Sequence, residues 1–124
     1  MLASADLMAF IPIRDPQVAK AFYVDVLGLA VVEENPAAVV LDAHGVMLRL
    51  TPVPDLSPQA FTIAGWRVAD IGSTITDLVA RGVTFTRYDG MDQDDLGIWT
   101  TPGGDQVAWF RDPDGNTLSL TTFV

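Results

Sequence analysis

Two stretches of this chain are built to the same plan. Ala9-Phe10-Ile11-Pro12-Ile13-Arg14-Asp15 and Ala64-Gly65-Trp66-Arg67-Val68-Ala69-Asp70 are both short apolar segments that end in aspartate, and each leads into a helix-like stretch. An internal repeat is the simplest account, and it restricts the fold severely, because what one half forms the other half should form too. In the first half Asp15 is a natural N-cap with Pro16 at the first helical position. Ala19, Phe22 and Val26 then recur at helical spacing before Gly28 stops the helix. In the second half Asp70 caps, Ile71, Ile75, Leu78 and Val79 form the stripe expected to be buried, and Gly82 ends the helix.

Strand candidates follow each helix. They run over 29–34, 39–43 and 46–51 in the first half and over 84–88, 98–101 and 106–111 in the second, with 117–123 as a last strand. Ala43-His44-Gly45 and Thr101-Pro102-Gly103-Gly104-Asp105 read as hairpin turns. The run Pro52-Val53-Pro54-Asp55-Leu56-Ser57-Pro58 is too rich in proline for a helix or a sheet interior and reads as a linker. The expected fold is therefore α+β, a single domain over 1–124 made of two βαβββ modules, 1–51 and 60–124, joined by 52–59. A helix covers one face of such a curved sheet and leaves the other open, and two modules together would enclose a cleft of the kind that binds small molecules.

Near the C-terminus, Asp112-Pro113-Asp114-Gly115-Asn116 is a tight turn ahead of a final strand. Pro113 presets its backbone angle, Asp114 and Asn116 are expected to bond their own backbone, and Gly115 tolerates positive φ.

The 124 residues, 49% of them apolar, suffice for a core without crosslinks, and no cysteine is present to form a disulfide or a thiolate metal site. A net charge of −9 argues against phosphate-backbone binding, which normally uses a clustered basic face, so no nucleic-acid partner is expected. Acidity also concentrates cationic small molecules, although a solvated acidic surface explains it as well. The N-terminal residues lack a basic region and a long apolar run, and no window approaches the roughly 18 apolar residues of a membrane span, so a soluble cytoplasmic protein without a membrane partner is expected.

The duplicated βαβββ reading, Asp15 and Asp70 at matching strand ends, the text from Tyr23 to Leu29, and Asp-Pro-Asp-Gly-Asn before the last strand together resemble the vicinal-oxygen-chelate superfamily. That family includes glyoxalase I, extradiol dioxygenases, fosfomycin-resistance enzymes and bleomycin-resistance proteins. The resemblance implies four inward-facing positions that hold His or Glu in metal-using members, and these correspond here to Met8, Arg49, Ile63 and Ser119. A thioether, a guanidinium, an alkyl chain and a neutral hydroxyl make no site for a divalent ion. Shifting the alignment by one residue brings in Leu7 or Ala9, Leu48 or Leu50, Thr62 or Ala64, and Leu118 or Leu120, which are no better. No metal and no cofactor are therefore expected.

The single histidine, His44, sits in a turn. Asp89, Asp92, Asp94 and Asp95 lack the spacing of a calcium loop, and their segment reads as a solvated acidic loop or a lid. Alternation sets Met8, Phe10 and Pro12 on one face of the first strand. The same parity, taken from the family-like positions, turns Met47, Arg49 and Thr51, then Phe61, Ile63, Gly65 and Arg67, then Thr117, Ser119 and Thr121 to the cleft, with Trp99 and Trp109 as walls and Trp66 toward the helix. The candidate ligand-binding set is Met8, Phe10, Met47, Arg49, Ile63, Arg67, Trp99, Trp109 and Ser119. Arg49 either holds a ligand carboxylate, phosphate or enolate-like oxygen, or pairs with Asp42 or Glu33 on a neighbouring strand, or reaches solvent. No catalytic residue is assigned: no nucleophile has a base beside it, and for general acid–base work Asp42 and Asp105 are only weak candidates.

The resemblance implies a metal-independent binder that sequesters an aromatic or amphipathic metabolite or antibiotic, as in the acidic homodimers of the bleomycin-resistance branch. The alternatives are a lyase, isomerase or dioxygenase-like enzyme of the same superfamily and an accessory domain with a filled cleft. A homodimer is expected, because exposed strand edges need protection.

Overall fold

In the computed structural model, which describes residues 1–124, the chain divides into two units, Met1–Ser57 and Pro58–Val124. A short helical turn at Leu2–Ser4 precedes the first unit, which contains β1 (Met8–Ile13), α1 (Pro16–Lys20, continued as a π-helical turn over Ala21–Val26), β2 (Ala30–Asn35), β3 (Ala38–Ala43) and β4 (Val46–Pro52). The second contains β5 (Thr62–Arg67), α2 (Ile71–Ala80), β6 (Trp99–Thr100), β7 (Gln106–Arg111) and β8 (Thr117–Thr122). The strand orders are β1-β4-β3-β2 and β5-β8-β7-β6. In each sheet the opening strand pairs in parallel with the closing one, and the other neighbours are antiparallel. The repeat is thus one of topology, and the architecture is α+β.

Both helix starts form as their sequences dictate. The Asp15 carboxylate accepts from the Gln17 N–H at 2.9 Å, and the Asp70 carboxylate accepts from the Ser73 N–H at 3.2 Å, each satisfying an amide that the helix leaves without a partner. The buried faces differ in detail from the helical spacing. In the first helix Ala19 and Tyr23 are buried while Phe22 and Val26 are only half-buried. Ala19 and Tyr23, four residues apart, share the buried face, and the helix ends in a wider turn in which Leu27 N–H donates to Phe22 O, five residues back. In α2 Val79 is exposed, leaving Ile71, Ile75 and Leu78 as the stripe.

Alternation then builds the cores. Ile11 and Ile13 of β1, Val39 and Leu41 of β3, and Leu48 and Leu50 of β4 are buried on the helix side. In the second unit Ala108, Phe110, Leu118 and Leu120 do the same, with Trp66 stacked at 6.4 Å on Phe110. Each fully buried aliphatic or aromatic side chain contributes about 1.5–3 kcal/mol.

The expected strand over 84–88 does not form. Phe85 makes a single bridge to Phe110, and the sixth strand shrinks to Trp99–Thr100. The Gln93 side chain explains how the backbone is satisfied without a ladder: it accepts from Tyr88 N–H at 2.7 Å and donates to Thr86 O and Gly97 O at 3.0 and 2.9 Å. Asp94 accepts from the Leu96 and Ile98 amides, each at 2.9 Å, so the acidic segment is a loop closed on itself.

The C-terminal turn forms where expected, and the structure adds what holds it. Its central group is the buried Asp112 carboxylate, which accepts from the amides of Asp114 and Asn116 at 3.0 and 2.9 Å and from Asn116 Nδ2 at 2.9 Å. Gly115 takes φ of 89°, where a side chain would be strained. No helix is long and apolar enough to cross a membrane.

Candidate functional site

Each sheet has a second face that no helix of its unit covers. In the first unit this face follows from register: Met8 lies opposite Met47, Phe10 opposite Arg49, and Pro12 opposite Thr51, while Arg49 faces Val40 and Met47 faces Asp42 across β3. Met8 and Phe10, on the edge strand β1, and Met47, on β4, are 45%, 59% and 39% exposed, a high value for apolar residues. Val32, 64% exposed, joins them because the register of β2 shifts between Val31 and Glu33. Met8, Met47, Val32 and Val40, with Asp6 and Asp42, border a shallow depression of about 360 Å³.

Arg49 stands half-buried on this face. Its one hydrogen bond runs from Nη1 to Met47 Sδ at 3.7 Å. The expected pairing with Asp42 or Glu33 does not occur, since Asp42 accepts from the Gly45 amide in the hairpin and Glu33 accepts from Asn35 Nδ2. Turn geometry claims both carboxylates locally, which spacing along the strands does not reveal.

In the second unit the corresponding face carries Thr62, Gly65 and Arg67 of β5, Ser119 and Thr121 of β8, Trp109 of β7 and Trp99 of β6. The ring centroids of Trp99 and Trp109 are 6.3 Å apart, and Tyr88 meets Trp109 edge-on at 5.6 Å. The Trp109 indole donates to Thr62 Oγ1 at 3.1 Å, which fixes its orientation. Arg67 lies over the Phe123 ring, 5.3 Å from its centre. Ile63 departs from simple alternation, because the register of β5 against β8 shifts between Thr62 and Ala64. Thr62 and Tyr88 were missed in the sequence: the first needed the shift to be known, and the second was placed in a strand.

Gly65 is dictated by Ser119. A Cβ at Gly65 would lie 2.4 Å from Ser119 Oγ and 3.4 Å from Ser119 O, and Ser119 is buried. Gly65→Ala is therefore expected to destabilise by about 1–3 kcal/mol. Combining it with Ser119→Ala should recover part of that loss in a double-mutant cycle read by urea unfolding. Additive losses would show that the two residues do not interact.

The donors do not fit a metal. Met8, Arg49, Ile63 and Ser119 offer no carboxylate or imidazole, and nowhere in the chain do three His, Asp or Glu side chains converge. His44 is exposed in the β3–β4 turn, with φ of 52°.

Two units of identical strand order, each with a helix on one sheet face and apolar or aromatic side chains on the other, define a duplicated βαβββ protein of the α+β class. The chain belongs to the Glyoxalase/Bleomycin resistance protein/Dioxygenase superfamily, whose family model matches residues 6–120. Among solved structures it is similar to a member of that superfamily from Sphaerobacter thermophilus DSM 20745, at 25% identity and TM-score 0.74, covering 99% of this chain and 100% of that one. It is also similar to TnmS3, an antibiotic binding protein from Streptomyces sp. CB03234, at 24% identity and TM-score 0.73 over 100% and 99% of the two chains. Lactoylglutathione lyase from Agrobacterium tumefaciens is 22% identical with TM-score 0.73, covering 96% and 93%. No curated protein matches the chain in sequence.

Proposed function

We propose that this protein is a cytoplasmic, homodimeric binder of an aromatic or amphipathic small molecule, a metabolite or an antibiotic, and that it works without a metal held by its own side chains. The observation that carries the reading is the composition of the open sheet faces. Where metal-using relatives need His or Glu, this chain offers Met8, Arg49, Ile63 and Ser119, beside exposed Phe10 and Met47 in one unit and the Trp99, Trp109 and Tyr88 group in the other. Aromatic and thioether surfaces contribute contact area and adapt to ligand shape, whereas neither activates a water nor polarises a carbonyl. The antibiotic-binding description of one structural neighbour supports the same class of ligand. Dimerisation is supported by the sheet edges β1 and β2 in one unit and β5 in the other, whose outer backbone groups lack a strand partner.

Native mass spectrometry of protein purified from its own host without chelator tests this directly. The expected species is a dimer carrying an organic adduct and no stoichiometric divalent ion. One divalent ion per protomer would refute metal independence and favour the enzyme reading, and a monomer at micromolar concentration would refute the dimer.

A further inference from the structure

We infer that Arg49 reads the charge of the bound molecule, so that the first unit selects an apolar or aromatic molecule bearing a carboxylate or a comparable oxyanion. The inference deepens the small-molecule reading above and rests on it.

A guanidinium carries five N–H donors in a planar fork and keeps its charge at any ordinary pH. On this face nearly all of those donors lack a partner: the one bond is to a thioether, a weak acceptor, and no carboxylate pairs with Arg49 although the chain holds 16 Asp and Glu against 7 Lys and Arg. The two carboxylates that share its strand neighbourhood, Glu33 and Asp42, are engaged in local turns. Burying a charge partway among apolar groups costs free energy unless something binds it, and Phe10, Val40 and Met47 surround this one. A planar oxyanion with an apolar body answers both needs. Its oxygens take the fork in paired, charge-assisted bonds, and its body covers Phe10, Met8 and Met47.

Polarity also fixes the direction of binding. Asp6 and Asp42 border the depression at the other side of Met8 and Met47, and they repel an anion there, so the charged end is directed to Arg49. The net charge of −9 works against an anion only at long range. Beyond a Debye length of about 8 Å at physiological salt that field is largely screened, whereas contact with the guanidinium is not.

The test uses the full chain and three probes of matched shape: 2-naphthoate, 2-naphthalenemethanol and 2-naphthylmethylammonium, titrated at neutral pH by calorimetry and by NMR shifts of the Met8 and Met47 methyl groups. In the wild type, naphthoate is expected to bind at least about tenfold more tightly than the alcohol, and the ammonium probe more weakly than both. Arg49→Gln should erase the preference for naphthoate over the alcohol, and Arg49→Lys should retain part of it. Unchanged thermal melts of both variants establish that they fold. Equal affinity for naphthoate and the alcohol, or tightest binding of the ammonium, overturns the inference while the small-molecule reading stands. Failure of all three to shift the methionine methyls overturns that reading and this inference with it.

Discussion

Replacing Asp112 with alanine is expected to lower the unfolding free energy by about 3–5 kcal/mol, among the largest losses available to a single polar substitution in this protein. The carboxylate accepts three hydrogen bonds, from Asp114 N, Asn116 N and Asn116 Nδ2, and it is only 5% exposed. Bonds to a charged group contribute roughly 1.5–3 kcal/mol each, and removal strands donors in a site where Asn116 is 2% exposed and water has little access. The turn also sets where β8 begins, since Asp112 N–H donates to Asn116 O, and β8 pairs with both β5 and β7. Asp112→Asn keeps the shape and one acceptor oxygen, and should fall between the two. Urea unfolding followed by tryptophan fluorescence measures both variants, and a loss below about 1 kcal/mol for the alanine variant would show that the turn is not held by this carboxylate.

The second large effect concerns Phe110. Phe110→Ala is expected to cost about 3–5 kcal/mol, a sizeable fraction of the 5–15 kcal/mol that such a domain typically has. Its ring is fully buried between Phe85, at 5.3 Å, and Trp66, at 6.4 Å, so truncation removes apolar burial and leaves a cavity lined by rings that cannot collapse into it. Phe85 has its one strand-like contact with Phe110, so the 84–98 segment should gain amide exchange in the same variant. Phe10→Ala supplies the contrast. The same side chain, 59% exposed on the open face of the first unit, should change stability by less than about 0.5–1 kcal/mol while weakening ligand binding. If both phenylalanines cost the same, the assignment of one to the core and the other to a binding surface fails.

How much of this was legible in the residues varies from element to element. The helix caps were, because Asp15 and Asp70 act through amides two or three residues away and need no long-range partner. The two faces of β1 and β4 were legible as sets, Ile11 and Ile13 with Leu48 and Leu50 against Met8 and Phe10 with Met47 and Arg49, since side chains alternate with a two-residue period, while which set turns from the helix was implied by the family resemblance. Where one residue enters out of step, the period fails. The shift between Thr62 and Ala64 displaces side chains by one position, and Thr62 was not assigned to the open face for that reason. The 84–88 segment has strand composition, yet the Gln93 amide takes the backbone bonds that a neighbouring strand would have made.

By itself, then, the sequence determined a duplicated α+β protein with two capped helices and strands of alternating sidedness, because each of these follows from residue type and local spacing. Only the tertiary structure decided which polar groups are already satisfied. Asp42 and Glu33 turned out to be held by their own turns, Asp112 by the chain it closes, and Arg49 by nothing but a thioether. A charge is free or spent according to which atoms the folded backbone brings within hydrogen-bond reach, and for these groups the atoms lie two to four residues away, in turns and strands whose exact geometry residue type alone does not reveal.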